Sequence, residues 1–114
     1  MNEELKQIFG NAIPVNGKQI PTAHLRYRGD SQTYVTWTIL SERPVLSADD
    51  EQVYSVGEVD VDIYSDGNYM DIVSEVKKLM EDNDWIWTED SPEMYEEDTG
   101  LYHRTSTFEK ERSL

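Results

Sequence analysis

Cysteine is absent from the 114 residues. That excludes a disulfide framework and any thiolate metal site, and nothing then points to an oxidising compartment, so cytosolic synthesis is the expectation. Positive charge is scarce: 10 Lys and Arg stand against 24 Asp and Glu, for a formal net charge of −14. A broad basic surface that holds nucleic acid by counterion release is excluded, because phosphates would meet net repulsion. No apolar run approaches the roughly 18 residues of a membrane span. The opening Met1-Asn2-Glu3-Glu4 lacks the basic and apolar regions of a signal peptide, so a soluble chain without a membrane partner is expected. Leu, Ile, Val and Phe make up about a fifth of the chain, near the level at which high net charge brings disorder. Three Trp and seven Tyr weigh towards a folded chain with a thin core. The length suits one domain over 1–114, too small for a large multi-step enzyme.

Catalytic signatures are missing as well. There is no Gly-rich phosphate loop, no helical His pair with a Glu and no calcium-loop spacing of acids. His24 and His103 are singletons and read as surface or strand-packing residues, and no Ser or Thr has a sequence-visible base beside it. The expectation is a chain that is not an enzyme and uses no cofactor and no metal.

What the chain does have is acidity in its middle. Residues 46–101 carry eighteen acids and two bases, whereas 1–45 and 102–114 each come to +1. Asn2 to Phe9 suits a short helix, with Asn2 as cap, Leu5, Ile8 and Phe9 on one face, and Gly10-Asn11 as its stop. About ten residues cannot hold a helix alone, so it must pack. From Asn11 to Ser31, Pro14, Gly17, Pro21 and Gly29 punctuate a loop with extended pieces. Thr33 to Leu40 alternates as a strand with Val35, Trp37 and Ile39 on its buried face. Ser41 to Glu51 reads as a turn. Val53 to Tyr64 alternates more strictly, with Val59, Val61 and Ile63 against Glu58, Asp60 and Asp62. After the turn Ser65-Asp66-Gly67-Asn68 comes an amphipathic helix through Ile72, Val73, Val76, Leu79 and Met80. Trp85 to Thr88 begins another strand, 89–100 is an acidic connection, and Leu101 to Glu109 is the last strand. This order predicts an α+β fold, an antiparallel sheet of about four strands with two helices on one face.

Two acidic features are candidates for contact. Alternate residues of a strand share a face about 7 Å apart, so Glu58, Asp60 and Asp62 form a stripe. It reads as the solvated face of a half-buried strand, wide for one ion, or as the lining of a channel. The connection Glu89-Asp90-Ser91-Pro92-Glu93-Met94-Tyr95-Glu96-Glu97-Asp98 is either a soluble loop or a docking element, since Met94 and Tyr95 sit among Glu96, Glu97 and their acidic neighbours. Arg26, Arg28 and Arg104 are the natural counter-charges, within the chain or on a neighbour.

With its elements in this order, and with the stretches Tyr34-Val35-Thr36-Trp37, Val59-Asp60-Val61-Asp62-Ile63-Tyr64-Ser65 and Leu101-Tyr102-His103-Arg104-Thr105-Ser106-Thr107-Phe108-Glu109-Lys110-Glu111, the sequence resembles the tail terminator, or tail completion, proteins of long-tailed bacteriophages and prophages. The resemblance covers nearly the whole chain. It implies a small α+β subunit that forms a homo-oligomeric ring, commonly a hexamer, which caps the finished tail tube and joins the head connector or stopper. It also implies a place in the virion at the head–tail junction, host cytoplasm during assembly, and DNA that passes the lumen without specific binding. A crowded carboxylate wall would keep a duplex from sticking within a Debye length of about 8 Å. Other head–tail junction or minor tail proteins share this size and acidity. An acidic DNA mimic, presenting carboxylates at phosphate-like spacing, is the reading from another class.

Overall fold

The chain runs through α1 (Asn2–Phe9), β1 (Ala12–Val15), β2 (Lys18–His24), β3 (Tyr34–Leu46), β4 (Gln52–Ser65), α2 (Met70–Asp82), β5 (Ile86–Asp90), β6 (Met94–Glu96) and β7 (Leu101–Ser113). The computed structural model describes residues 1–46 and 52–113. The class is α+β, and the seven strands among the described residues form one mixed sheet in the order β1-β2-β3-β4-β7-β5, with β6 beside β5 on β7.

The centre of the sheet is β4. Asp is a poor strand former, yet β4 stands because Val59, Val61 and Ile63 are fully buried. Its register sets Val59 opposite Phe108, Val61 opposite both Trp37 and Ser106, and Ile63 opposite Val35. All of these are buried, and α1 (Leu5, Phe9) and α2 (Ile72, Val73, Val76, Met80) close the same core. Burying each such side chain contributes roughly 1.5–3 kcal/mol. That is why the eight-residue α1, too short to persist alone, is held. Its end follows from Gly10, whose φ of 59 turns the chain while its N–H donates to the Lys6 carbonyl at 2.8 Å. Asn2 lies inside the helix, and Met1 takes the cap position without a side-chain bond. Asn68 does act at the start of α2, its Oδ1 accepting the Met70 N–H at 3.0 Å.

The sheet is larger than the expected four strands, and it is not purely antiparallel. The segment expected as a loop holds the β1–β2 hairpin, closed by Asn16 and Gly17 at φ 51 and 79. The type I′ form of a two-residue hairpin turn needs positive φ at both residues, which Asn-Gly supplies. Strand β2 then lies parallel to β3 over three residue pairs, Thr22–Val35 to His24–Trp37. So short a ladder lets the loop at 25–33 return the chain without a crossover helix. Of the turn expected over 41–51, residues 41–46 continue β3, and 47–51 lie outside the described residues. Leu40 is the extra residue of a bulge between Ile39 and Ser41. Beyond Trp37 the outer edge of β3 has no partner among the described strands, which is where Pro44 is tolerated. Part of the acidic connection is likewise strand, as the end of β5 and as β6. The long strands β3, β4 and β7 stretch the molecule to 52 × 25 × 23 Å. Among the described residues no helix is long and apolar enough to cross a membrane.

Candidate functional site

The face of the sheet turned away from the helices carries Glu58, Asp60, Asp62 and Tyr64 of β4. Register places Tyr34 opposite Tyr64 and Tyr64 opposite His103. Tyr27, from the β2–β3 loop, extends this row. The rings of Tyr27, Tyr34, Tyr64 and His103 stack at centroid steps of 4.5, 4.7 and 4.1 Å, forming a ladder across three strands. Tyr27 is fixed by its own loop: its hydroxyl accepts the Ser31 N–H at 3.0 Å. Gly29 packs so close that a Cβ there would clash with the Tyr27 ring and its hydroxyl oxygen. Burial, reinforced by the charge of Asp62, pushes the Tyr64 phenol up to about 12. Burial, then the charge of Glu96, raises that of Tyr34.

At the end of the ladder His103 stands between two carboxylates. Its Nε2 lies 2.8 Å from Asp62 Oδ1 and its Nδ1 3.6 Å from Glu96 Oε1. The Thr105 hydroxyl donates to the same Asp62 oxygen at 2.5 Å, and Thr107 donates to Asp60 at 2.6 Å. The stripe is thus bonded to β7 rather than left to water alone. Neutral hydroxyls orient these carboxylates without cancelling their charge. Both imidazole nitrogens face carboxylates, and the nearest hydroxyl, Thr105 at 3.4 Å from Nε2, donates to Asp62. Glu58 faces Glu109 across the strands, and Arg43, 3.5 Å from Glu109, offsets that like-charge pair. Among the described residues no group of three His, Asp or Glu is placed to hold a metal ion.

Two further clusters tie the helices to the sheet. Glu4 bonds Lys110 at 2.5 Å and also Arg112. Burial alone would raise its carboxyl, but these two cations outweigh it and hold the group below its ordinary 4.5. Asp90 accepts from Ser106 at 2.7 Å, from Lys77 at 2.9 Å and from Trp87 Nε1 at 2.9 Å. Burial again opposes, and these donors together with the Lys77 charge hold Asp90 below its ordinary 3.8. Lys77 also sits 4.0 Å over the Trp87 ring.

The fold separates the expected contact residues. Arg104 is used within the chain, its Nε donating to the Ser91 carbonyl at 2.9 Å and its Nη2 4.0 Å from Asp90. Arg26 and Arg28 are exposed in the loop at the β3 edge and enter no ion pair among the described residues. Met94 and Tyr95 lie on β6 at the opposite edge, exposed, with Glu97 and Asp98 exposed beside them and Glu96 half-buried against His103. Tyr95 leans on Tyr102 at 5.1 Å, and the Tyr69 hydroxyl donates to Glu93. A groove of about 460 Å³ opens here between Tyr69, Met70, Glu93 and Tyr102. Sequence reasoning did not assemble the ladder, because its rings come from a loop and three strands. The only signal for it was the outward phase of Tyr64 and His103 in their strands.

Compared with models of known protein families and with curated proteins, the chain matches none.

Proposed function

We propose that this chain is an architectural subunit of the head–tail junction of a long-tailed phage or prophage: a tail terminator that forms a ring, commonly of six copies, on the completed tail tube and joins it to the head connector or stopper. The protein is then a virion component, assembled in the host cytoplasm, and neither an enzyme nor a cofactor carrier. The observation that carries this reading, beside the resemblance, is the layout of the sheet. Among the described residues helices cover one face only, and large apolar side chains stay exposed towards its edges: Leu25 and Leu40 on one side, Ile86, Trp87, Tyr95 and Tyr102 on the other. Side chains of this kind favour a subunit that completes its burial against neighbours. With edges joined side by side, the polar face with Glu58, Asp60 and Asp62 becomes the lumen wall. Its charge repels passing DNA over about a Debye length, roughly 8 Å.

Disruption of the gene in its phage tests the reading. Tails without their terminator are expected to be overlong or headless; tails of normal length joined to heads would overturn it. Light scattering with electron microscopy of the purified chain supplies the second measure, with rings expected.

A further inference from the structure

Leu25 is an oddity of the chain. A leucine at φ 64 occupies the left-handed region that L side chains avoid, and it leaves 60% of its surface in solvent. Two backbone bonds hold the turn, Leu25 N–H to the Trp37 carbonyl at 2.9 Å and Arg26 N–H to the His24 carbonyl at 2.6 Å. Neither strain nor exposure helps the isolated subunit. The same turn carries Arg26 and Arg28 outward at the β3 edge. The opposite edge offers the complement: a groove lined by Tyr69, Met70 and Tyr102 together with Asp66 and Glu93, on the edge where Glu97 and Asp98 stand exposed after β6. The rings of Tyr27, Tyr34, Tyr64 and His103 lie between the two places, and within one copy Arg26 and Arg28 enter no ion pair with these acids among the described residues.

We propose that the Leu25–Arg28 turn of one copy docks on the Tyr102 groove of the next, Leu25 entering the groove and Arg26 and Arg28 facing Glu97 and Asp98. The occupant is a second copy of this chain, because the matching charge and the matching apolar knob lie on the same molecule. Such a contact is heterologous, so repetition closes a ring or grows a filament. A chain of net charge −14 can associate this way because screening removes most of the distant repulsion while local opposite charges meet inside a Debye length. The proposal rests on the ring reading above and gives it its contact surfaces.

Charge exchange tests it, with association followed by light scattering and analytical ultracentrifugation. Arg26→Glu/Arg28→Glu and, separately, Glu97→Lys/Asp98→Lys should each weaken self-association at least about tenfold. The fourfold variant, with both sides exchanged, should restore it. Leu25→Gly should keep or raise the thermal midpoint, since Gly accepts the turn without strain, and should still weaken association. This opposite sign separates docking from a structural role. Rings that survive both reversals unchanged overturn these contact surfaces and leave the ring reading standing. Reversals that dissociate but are not rescued by the fourfold exchange also overturn the pairing. A wild-type chain that stays monomeric up to about 1 mM overturns self-docking, while the tail phenotype of the gene disruption judges the terminator reading separately.

Discussion

The two faces of β4 are built from alternating residues of one strand yet obey different rules. Val59, Val61 and Ile63 are sealed beneath two helices, and their value lies in water excluded. One residue away, Asp60, Asp62 and Tyr64 are held by directional partners, Thr107, Thr105 and the rings of Tyr34 and His103. The first face is costly to alter and has no surface left for contact. The second tolerates change because water can replace a lost partner, and that leaves it available for work. In a chain with few aliphatic residues this division concentrates apolar burial on one side and hydrogen-bonded carboxylates and stacked rings on the other.

The sharpest way to break that comparison is to remove bulk from the covered face. Phe108 is fully buried opposite Val59, so Phe108→Ala should cost about 3–5 kcal/mol of unfolding free energy through lost burial and a residual cavity. Urea denaturation measures it; a loss below about 1 kcal/mol would mean that the core is looser than its packing implies.

The next effect lies where the covered face ends. Glu4→Gln removes the charge that Lys110 and Arg112 share, and about 1–3 kcal/mol should be lost at neutral pH. The pH dependence has a definite sign. The folded pKa of Glu4 is below its ordinary 4.5, so its contribution is complete above that value and vanishes as pH falls through the folded pKa. Asp90, held below 3.8, acts in the same direction. The wild type should therefore lose thermal stability steeply on acidification below about pH 4.5, and Glu4→Gln should flatten that limb; parallel limbs for the two proteins would contradict the ion cluster.

On the polar face the same kind of change should do less to the fold and more to the work. Asp60→Asn with Asp62→Asn keeps an acceptor oxygen for Thr107 and Thr105, so about 1 kcal/mol of stability is at stake. Two negative charges leave the proposed lumen wall of every copy. Phage carrying the pair should assemble tails and eject DNA more slowly; ejection at the wild-type rate would remove the lumen role from this face.

How much of this division was legible beforehand follows from the physics of each signal. The alternation from Val59 to Ile63 announced both faces of β4, and the helical spacing of Ile72, Val73, Val76 and Met80 announced α2, because these patterns are local. The β1–β2 hairpin was also written locally, in Asn16-Gly17, but Pro14 and Pro21 on its flanks spoke for a loop. Strand β6 has three residues, too few for a period to show. The partners of the acidic stripe were out of reach for another reason. Thr105 lies 43 residues from Asp62 and Thr107 lies 47 from Asp60, and only the register of β7 on β4 brings them together. Both sides of the proposed copy-to-copy contact were visible as charge, in Arg26 and Arg28 and in Glu97 and Asp98. That they lie on opposite edges became visible only with the strand order.

The smallest expected effect tests the ladder itself. Tyr64→Phe preserves the stacked ring between Tyr34 and His103 and removes only the hydroxyl, so stability at pH 7 should move by less than about 0.5 kcal/mol. Above pH 10 the two proteins should part. The folded phenol is raised to about 12, whereas an unfolded Tyr ionises near 10. The folded state binds the proton more tightly, so this contribution is complete below pH 10 and is lost as pH climbs towards 12. The wild type should lose stability faster than Tyr64→Phe across that interval, and ultraviolet titration of the folded wild type should show one phenol resisting ionisation that the variant lacks. Identical alkaline limbs and identical titrations would mean that Tyr64 is as open to water as the tyrosines at the edges, and that the polar face is a row of separate side chains rather than one packed ladder.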